Sequence, residues 1–344
     1  VSCGVADASQ LNSRNYGEDL TQLSVGQLLE VIRDRPASQK DIARDQIADQ
    51  WNAETTAILK QYAADSSVTV RRYVLCLLAQ RNALTADELS AATRDPDELV
   101  RVHAFRILRE FPTDAITEAE CTALLRRGFG DQSAMVRRAA AAASSRHLSR
   151  TLTAPLLRML HTTDLADVHL RHSIRIALRD HLRNEDWFRE LAMQSPLAMD
   201  RLALADLSLA VKSRAAAEYI ASNVEFLGTT QPGKLAEYLQ FAAAYVTPDA
   251  ASNVVAAVRE QFGGDQALQL KLLNSMRQGF AQRGQKPPQV VRDWALDTTL
   301  TLLRMKSPDD LGALDTTPAF GWTYIPHPDS PNPENCWGVT TSRT

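Results

Sequence analysis

The sequence lacks the motifs on which catalytic and metal sites usually depend. Its four cysteines are far apart and form no Cys-x-x-Cys pair, which excludes a zinc knuckle and a covalent haem attachment site. No apolar run approaches the roughly 20 residues of a membrane-spanning helix. A Gly-x-Ser-x-Gly elbow, a phosphate loop, a dinucleotide fingerprint and His-Glu-x-x-His are also missing. We therefore expect no catalytic residue, no metal and no cofactor in this chain.

Glycine and proline are scarce before the last forty residues, whereas alanine and leucine are frequent. This composition favours helix, and a hydrophobic fraction of 44% is enough for a continuous core. The formal net charge of -3 gives no general argument for binding nucleic acid or an anionic membrane. Composition alone therefore predicts an all-α protein.

A short phrase recurs along the first half of the chain. It consists of an Asp, a short gap, Val or Leu followed by Arg, and then an apolar helix face. A degenerate copy starts at Asp34, with Lys40 in the position of the Arg. Successive basic residues of the phrase are separated by 31, 30, 36 and 34 residues, a period that predicts stacked helix pairs. The four clear copies start at Asp65, Asp95, Asp131 and Asp164 and carry Arg71, Arg101, Arg137 and Arg171.

These copies resemble the HEAT repeat, including its Asp and Val-Arg positions, over roughly residues 24–183. The resemblance implies an all-α, right-handed α-solenoid of HEAT-like helix pairs. We expect an irregular lead-in over 1–22, HEAT-like repeats over 23–195 and diverged repeats or a cap over 196–306. Residues 307–344 are rich in proline and are expected to form a linker or the start of a further domain.

Local signals predict individual helices. Ser24 is a candidate N-cap for a helix that ends at Asp34, and Pro96 is expected in the first turn of a helix that starts after Asp95. In the diverged region, prolines and apolar spacing predict helices over 197–211, 214–227, 234–246, 249–262, 266–282 and 289–305.

The Asp and Arg of each phrase are suited to charge-assisted hydrogen bonds between the turn of one repeat and the helix of the next. The alternative is a row of ligand-binding cations along one groove. We favour the structural ladder, whose predicted members are Asp65, Arg71, Asp95, Arg101, Asp131, Arg137, Asp164 and Arg171.

Positive charge is concentrated between Arg126 and Arg183, where eleven Arg occur with four acidic residues. Seven of the Arg outside the ladder are candidates for a basic binding face, and the alternative is a solvated surface. The predicted binding residues are Arg138, Arg146, Arg150, Arg158, Arg175, Arg179 and Arg183.

Five of the seven His also lie in this stretch. His169 and His172 have the i, i+3 spacing of a metal pair on one helix edge. No third ligand of fixed spacing follows them, and His181 fits the apolar stripe of its helix. We therefore interpret these histidines as packing or capping residues.

The leading hypothesis is a non-catalytic scaffold that binds an acidic protein partner, or a neighbouring domain of a longer chain, along a basic concave face of second helices. One alternative is a nucleic-acid-binding solenoid similar to HEAT-like DNA glycosylases. A further alternative is an enzyme whose site is spread over several repeats, although the His-Glu pattern of HEAT-like hydroxylases does not occur.

A narrower resemblance is carried by the stretch from Asp167 to Asp180 and the tail from Asn332 to Trp337. Together with the repeats, they look like the middle of large planctomycete-type exported proteins, which join a dehydrogenase-like propeller or a haem-binding module to HEAT repeats. The resemblance implies an extracytoplasmic segment of a redox or carbohydrate-processing protein whose active site lies in another domain. No Cys-x-x-Cys-His site or propeller repeat occurs, so neither activity is transferred to residues of this chain.

Overall fold

The computed structural model describes residues 19–195, 197–305, 322–326 and 337–341. The chain divides into two compact units, residues 1–177 and 178–344. The described part of each unit is dominated by helices, which confirms the prediction of an all-α chain apart from one small sheet.

The first unit consists of consecutive helix pairs, preceded by a short 3-10 turn at Leu20–Gln22. Its last helix continues five residues past the division between the units. The helices are α1 (Val25–Asp34), α2 (Ala37–Asp49), α3 (Ala53–Gln61), α4 (Val68–Gln80), α5 (Ala86–Ala92), α6 (Glu98–Glu110), α7 (Glu118–Phe129), α8 (Ala134–Ser144), α9 (Thr153–Thr162) and α10 (Val168–Leu182).

The second helices of successive pairs pack side by side, in the order α2, α4, α6 and α8. We call these four helices the second-helix layer. In α4, Val70, Val74, Leu77 and Leu78 are buried, the spacing of an amphipathic helix with one face in the core. Because each pair buries its apolar face against its neighbours, the core of this unit extends from repeat to repeat.

Several helices of the first unit begin with the signals that the sequence contains. Ser24 caps α1 and forms a capping box with Gln27. Thr85 and Thr117 form the equivalent boxes with Glu88 and Glu120 at the starts of α5 and α7. Each box satisfies backbone N–H groups that the first turn leaves without intrahelical partners.

The second unit also packs alternate helices against one another. Helices α11, α13, α15 and α17 are neighbours in that order, and α14, α16 and α18 form a second series. The helices are α11 (Glu185–Gln194), α12 (Ala198–Val211), α13 (Arg214–Ser222), α14 (Val224–Thr230), α15 (Leu235–Tyr245), α16 (Pro248–Phe262), α17 (Gln266–Gln282) and α18 (Gln289–Met305).

A buried polar network joins three of these helices. The Trp294 indole on α18 donates to Gln269 Oε1 on α17 at 2.8 Å. The Gln269 amide in turn donates to the carbonyl oxygens of Phe262 and Gly263, at 3.1 and 3.2 Å. Trp294 is fully buried, so the network satisfies a donor that would otherwise be costly to bury.

The C-terminal extension contains the only described strands, β1 (Trp322–Pro326) and β2 (Trp337–Thr341). They pair antiparallel, with Tyr324 opposite Val339. The choice between a linker and a further domain depends on residues outside the described ranges and stays a prediction.

Three expectations about individual helices were wrong. Pro96 precedes α6 rather than starting it, because Asp97 is the N-cap and accepts from the Leu99 N–H. The helix expected over 214–227 is two helices separated at Asn223. Helix α11 was missed; the Asn184 side chain caps it by accepting from the N–H groups of Asp186 and Trp187.

The close approach of α15 and α17 gives a test of this packing. A Cβ added at Gly279 would lie 2.1 Å from the Gln240 carbonyl oxygen and 2.9 Å from the Cβ of Ala243. Because overpacking forces backbone shifts, we expect Gly279→Ala to lower the free energy of unfolding by about 1–3 kcal/mol in urea titrations. Gly233→Ala is the control, since no atom lies within 4 Å of its added Cβ. Equal stability of the two variants would contradict the described helix contact.

Candidate functional site

Two Arg side chains of the second-helix layer bind the Asp in the turn of the next helix pair. Arg71 on α4 donates from Nε and Nη2 to Asp95, at 2.7 and 2.8 Å. Arg101 on α6 donates in the same way to Asp131, at 2.8 and 3.0 Å. Only 10% to 17% of these four side chains is exposed. Bidentate, charge-assisted pairs in such surroundings hold successive helix pairs in register.

The same Arg residues also close the turn of their own pair. The Nη1 of Arg71 donates to the carbonyl oxygens of Asp65 and Ser66, at 2.8 and 3.2 Å. Arg101 makes the equivalent bonds to Asp95 and Pro96, at 2.8 and 3.1 Å. Each guanidinium therefore connects its own helix, its own turn and the turn of the following pair.

The predicted ladder changes at its N-terminal end. Asp65 accepts from Arg33 at 2.6 Å, so Arg33 rather than Lys40 is the cation of this first contact. Arg33 lies at the end of α1, close to the turn of its own pair. The contact thus links the turns of successive pairs, as the later ones do.

The C-terminal end of the ladder differs as well. Arg137 donates to the carbonyl oxygens of Asp131 and Gln132, at 2.8 and 2.9 Å, and Arg171 donates to those of Leu160 and Thr163, both at 3.0 Å. Asp164 accepts from the Ala166 N–H within its own turn. Asp164 was therefore placed wrongly among the ladder carboxylates. The contribution of the ladder to stability stays a prediction.

Asp131 keeps its charge in these surroundings. Burial alone would raise the pKa of its carboxyl group, but hydrogen bonds from Arg101 and from the Ser133 N–H lower the pKa below the ordinary value. The carboxylate form is therefore favoured in the folded protein, so the contact with Arg101 remains an ion pair.

A second set of polar side chains lies on the side of the second-helix layer opposite the buried stripe. The thiol of Cys76 on α4 lies 3.6 Å from Nδ1 of His103 on α6. Arg72 is half-buried, whereas Arg106 and Arg138 are exposed. We call this surface the second-helix face and define it by Arg72, Cys76, His103, Arg106 and Arg138.

The Arg residues of the second-helix face influence the titratable groups beside them. Burial lowers the pKa of His103, and the charges of Arg72 and Arg106 lower it further. Burial raises the pKa of the Cys76 thiol despite the nearby Arg residues. The two groups are thus favoured as a neutral imidazole and a neutral thiol, rather than as the thiolate that nucleophilic catalysis needs.

The Arg residues of this face differ from those of the ladder in their partners. The Nε of Arg72 is buried and has no hydrogen-bond partner among the described residues. Within the same ranges, Arg106 and Arg138 form no ion pair. One residue before Arg72, Arg71 uses all three of its nitrogens. The positive charges of Arg106 and Arg138 therefore have no counterion within the described residues.

Positive charge is offset at the N-terminal edge of the layer. Asp41 on α2 accepts from the Tyr73 hydroxyl at 3.1 Å and lies 3.5 Å from Arg44. Arg44 also binds Asp45 at 2.8 Å. The net positive charge is thus concentrated on α4, α6 and α8.

The structure distributes the seven predicted binding residues over several elements. Only Arg138 lies in the second-helix layer. Arg179 binds Asp180 at 2.7 Å, and Arg183 lies 3.7 Å from the same carboxylate; both Arg belong to the second unit. The others are Arg146 and Arg150 between α8 and α9, Arg158 on α9 and Arg175 on α10, all four exposed.

The sequence prediction missed Arg72, His103 and Arg106, because it sought an excess of positive charge and that excess starts at Arg126. A signal for Arg72 was present: Arg72 and Arg138 each directly follow the Arg of the repeat phrase. Arg106 and Cys76 occupy equivalent positions, since each lies five residues after the Arg of its own repeat phrase.

The other histidines and cysteines that the structure describes form no further cluster with the second-helix face. His169 and His172 are exposed, while His181 is buried with its ring 6.3 Å from that of Trp187. Across the described ranges, no three His, Cys, Asp or Glu side chains are grouped as a metal site would need. Burial raises the pKa of Cys121 to about 11, which keeps this thiol protonated.

The fold is that of an α-solenoid. Kap121p is a HEAT-repeat karyopherin, and its crystal structure bound to Pho4p matches this fold with a TM-score of 0.57 at 12% identity. The match covers 91% of this chain and 39% of the Kap121p chain. At this identity the likeness supports the fold alone, and it confirms the prediction of a HEAT-like α-solenoid.

The other comparisons give no relative. No family model matches the chain, and none of the curated proteins does. The narrower resemblance to planctomycete-type proteins thus gains no support from them. In the part of the chain that the structure describes, no helix is both long and apolar enough to cross a membrane.

A double-mutant cycle on Arg101 and Asp131 tests the ladder. Leaving one charge without its partner is costly, so we expect Arg101→Ala and Asp131→Ala each to lower the free energy of unfolding by about 2–4 kcal/mol. The double variant should lose clearly less than the sum of the single losses. Arg109→Ala, which removes an exposed ion pair with Glu110, should cost under about 1 kcal/mol. Additive losses in the cycle would show that the two side chains do not interact.

Proposed function

We propose that this chain is a non-catalytic scaffold that binds an acidic segment of a protein partner or of an adjacent domain. One observation carries the proposal: the Arg residues divide into two populations. Arg71 and Arg101 are bound by carboxylates and carbonyl oxygens, whereas Arg138 and Arg175 are exposed and have no ion pair within the described ranges. Exposed cations without internal partners favour and orient an anionic ligand.

The fold supports a binding role of this kind. Stacked helix pairs present an extended surface on which successive repeats contact successive parts of a ligand. Kap121p, which shares the fold, was crystallised bound to Pho4p, so protein binding is compatible with this architecture. The neutral Cys76 and His103 pair offers no activated nucleophile, which favours binding over catalysis.

Protein is favoured over nucleic acid as the ligand. A duplex presents dense, regular negative charge, and proteins that bind it neutralise several phosphates at once. This chain has a formal net charge of -3, and the N-terminal edge of the second-helix layer is neutralised by Asp41 and Asp45. The cations thus match a short acidic segment better than a continuous phosphate backbone.

The resemblance to planctomycete-type exported proteins extends the proposal to compartment. On that view the chain is an extracytoplasmic segment that docks a neighbouring domain, and redox or carbohydrate chemistry belongs to the other domains. Intact-mass measurement of the product in its source cells tests this extension. A mass near 38.0 kDa would contradict it, whereas a much larger mass is expected.

Charge reversal tests the binding function. Fluorescence anisotropy with a labelled oligo-glutamate peptide should show saturable binding that weakens about tenfold in Arg138→Glu/Arg175→Glu. The matched control is Arg94→Glu/Arg127→Glu, which changes the net charge equally at exposed positions outside the proposed site. The thermal midpoint of both double variants should remain close to that of the parent chain.

The outcomes separate the hypotheses. Equal weakening of binding in the two double variants would mean that the affinity depends only on net charge. Absence of binding by the parent chain would refute an acidic partner. Tighter binding of a DNA duplex, with an affinity that falls steeply with salt, would favour the nucleic-acid alternative.

A further inference from the structure

The cations of the second-helix face form a row across consecutive helices. Arg72 lies on α4, Arg106 on α6 and Arg138 on α8, and these helices pack as neighbours in that order. His103 lies on α6 within electrostatic range of both Arg72 and Arg106, whose charges lower its pKa. The row is therefore built from three successive repeats.

The three cations also share a lack of partners. The Arg72 Nε is buried without a hydrogen bond in the described part of the chain, so its donor is desolvated but unused. Buried donors normally have a partner, and leaving one unsatisfied is unfavourable. The Nη groups of Arg72 are not among the buried atoms, so a carboxylate placed against them would pair with the charge of the guanidinium.

The spacing of the row determines which segment fits it. Axes of packed helices are about 8–10 Å apart. The helix backbones that carry neighbouring Arg residues of the row are therefore separated by about that distance. A peptide in the extended polyproline II conformation advances about 3.1 Å per residue with three residues per turn, which places every third side chain on the same face, about 9 Å apart. An α-helical segment advances only about 1.5 Å per residue, so it would need acidic residues about seven positions apart, rather than three, to reach this spacing.

We propose that Arg72, Arg106 and Arg138 bind an extended acidic protein segment whose Asp or Glu residues occur at every third position. The inference rests on the proposed function and specifies its ligand. Each acidic side chain meets one Arg, and His103 adds a polar contact between the first two. The ladder Arg residues take no part, because Asp95, Asp131 and the turn carbonyl oxygens already occupy their donors.

Two peptides of equal composition test the spacing. The first is a labelled Gly/Ser peptide that carries three Glu residues, one at every third position. The second contains the same residues with the three Glu adjacent. We expect the spaced peptide to bind the full chain about threefold to tenfold more tightly, because only its carboxylates can meet all three Arg at once. Anisotropy at low and moderate salt measures both affinities.

Variants of the row connect the preference to these residues. Arg72→Ala/Arg106→Ala should remove the difference between the peptides, whereas Arg94→Ala/Arg127→Ala should keep it. Arg72→Lys retains the charge but lacks the planar guanidinium with its several donors, so it should retain part of the difference. The thermal midpoint of each variant shows whether it remains folded; if the double Ala variant does not, the Arg72→Lys variant and Arg106→Ala alone carry the test.

The results distinguish this inference from the broader one. If both peptides bind equally and Arg138→Glu/Arg175→Glu still weakens oligo-glutamate, the spacing proposal fails and the binding function stands. If neither peptide nor oligo-glutamate binds, both fail. Displacement of the spaced peptide by single-stranded oligonucleotides at lower concentration than by unlabelled peptide would overturn the assignment to a protein segment.

Discussion

The hydrogen bonds from Arg71 and Arg101 to the Asp of the next turn connect successive helix pairs of the first unit, and we expect its register to depend on them. Helix pairs that share only apolar faces can slide or rotate, because hydrophobic burial has little directionality. A planar guanidinium that binds a carboxylate through two nitrogens specifies both distance and orientation. Because the third nitrogen holds the turn of its own pair, the contact fixes two turns at once.

We infer that this arrangement separates stability from binding within a single helix. Arg71 and Arg72 are neighbours in sequence, but helical periodicity places them about 100° apart around α4. Arg71 is directed to the turns, where carboxylate and carbonyl oxygens surround it, and Arg72 lies on the outer side with its Nε unsatisfied. The repeat can therefore keep one cation for the fold and offer another to a ligand.

The fold was largely predictable because its determinants are local. The recurring Asp and Val-Arg positions, the capping residues Ser24, Thr85 and Thr117, and the 3.6-residue spacing each act over one or two turns of helix. The errors arose where an outcome depended on competition between neighbouring signals. Asp95 binds Arg71 and the Asp97 N–H, so the cap moves to Asp97 and Pro96 remains outside α6.

The candidate site was harder to predict for a physical reason. The sequence shows how much charge a stretch contains, but it does not show which charges are already paired. Arg179 belongs to the most basic stretch and yet binds Asp180, whereas Arg72 lies outside that stretch and has an unsatisfied donor. The exposure and pairing of an Arg depend on contacts between repeats about thirty residues apart.

The most direct test compares Arg71→Ala with Arg72→Ala for two properties, the free energy of unfolding and the affinity for an acidic peptide. We expect each variant to lose a different one of these two properties. Arg71→Ala should lower stability by about 2–4 kcal/mol because it leaves Asp95 without its partner, and at temperatures where it is folded it should bind almost normally. Arg72→Ala should weaken binding and leave stability within about 0.5 kcal/mol of the parent chain. Variants that lose both properties in parallel would contradict the division of roles between these two residues.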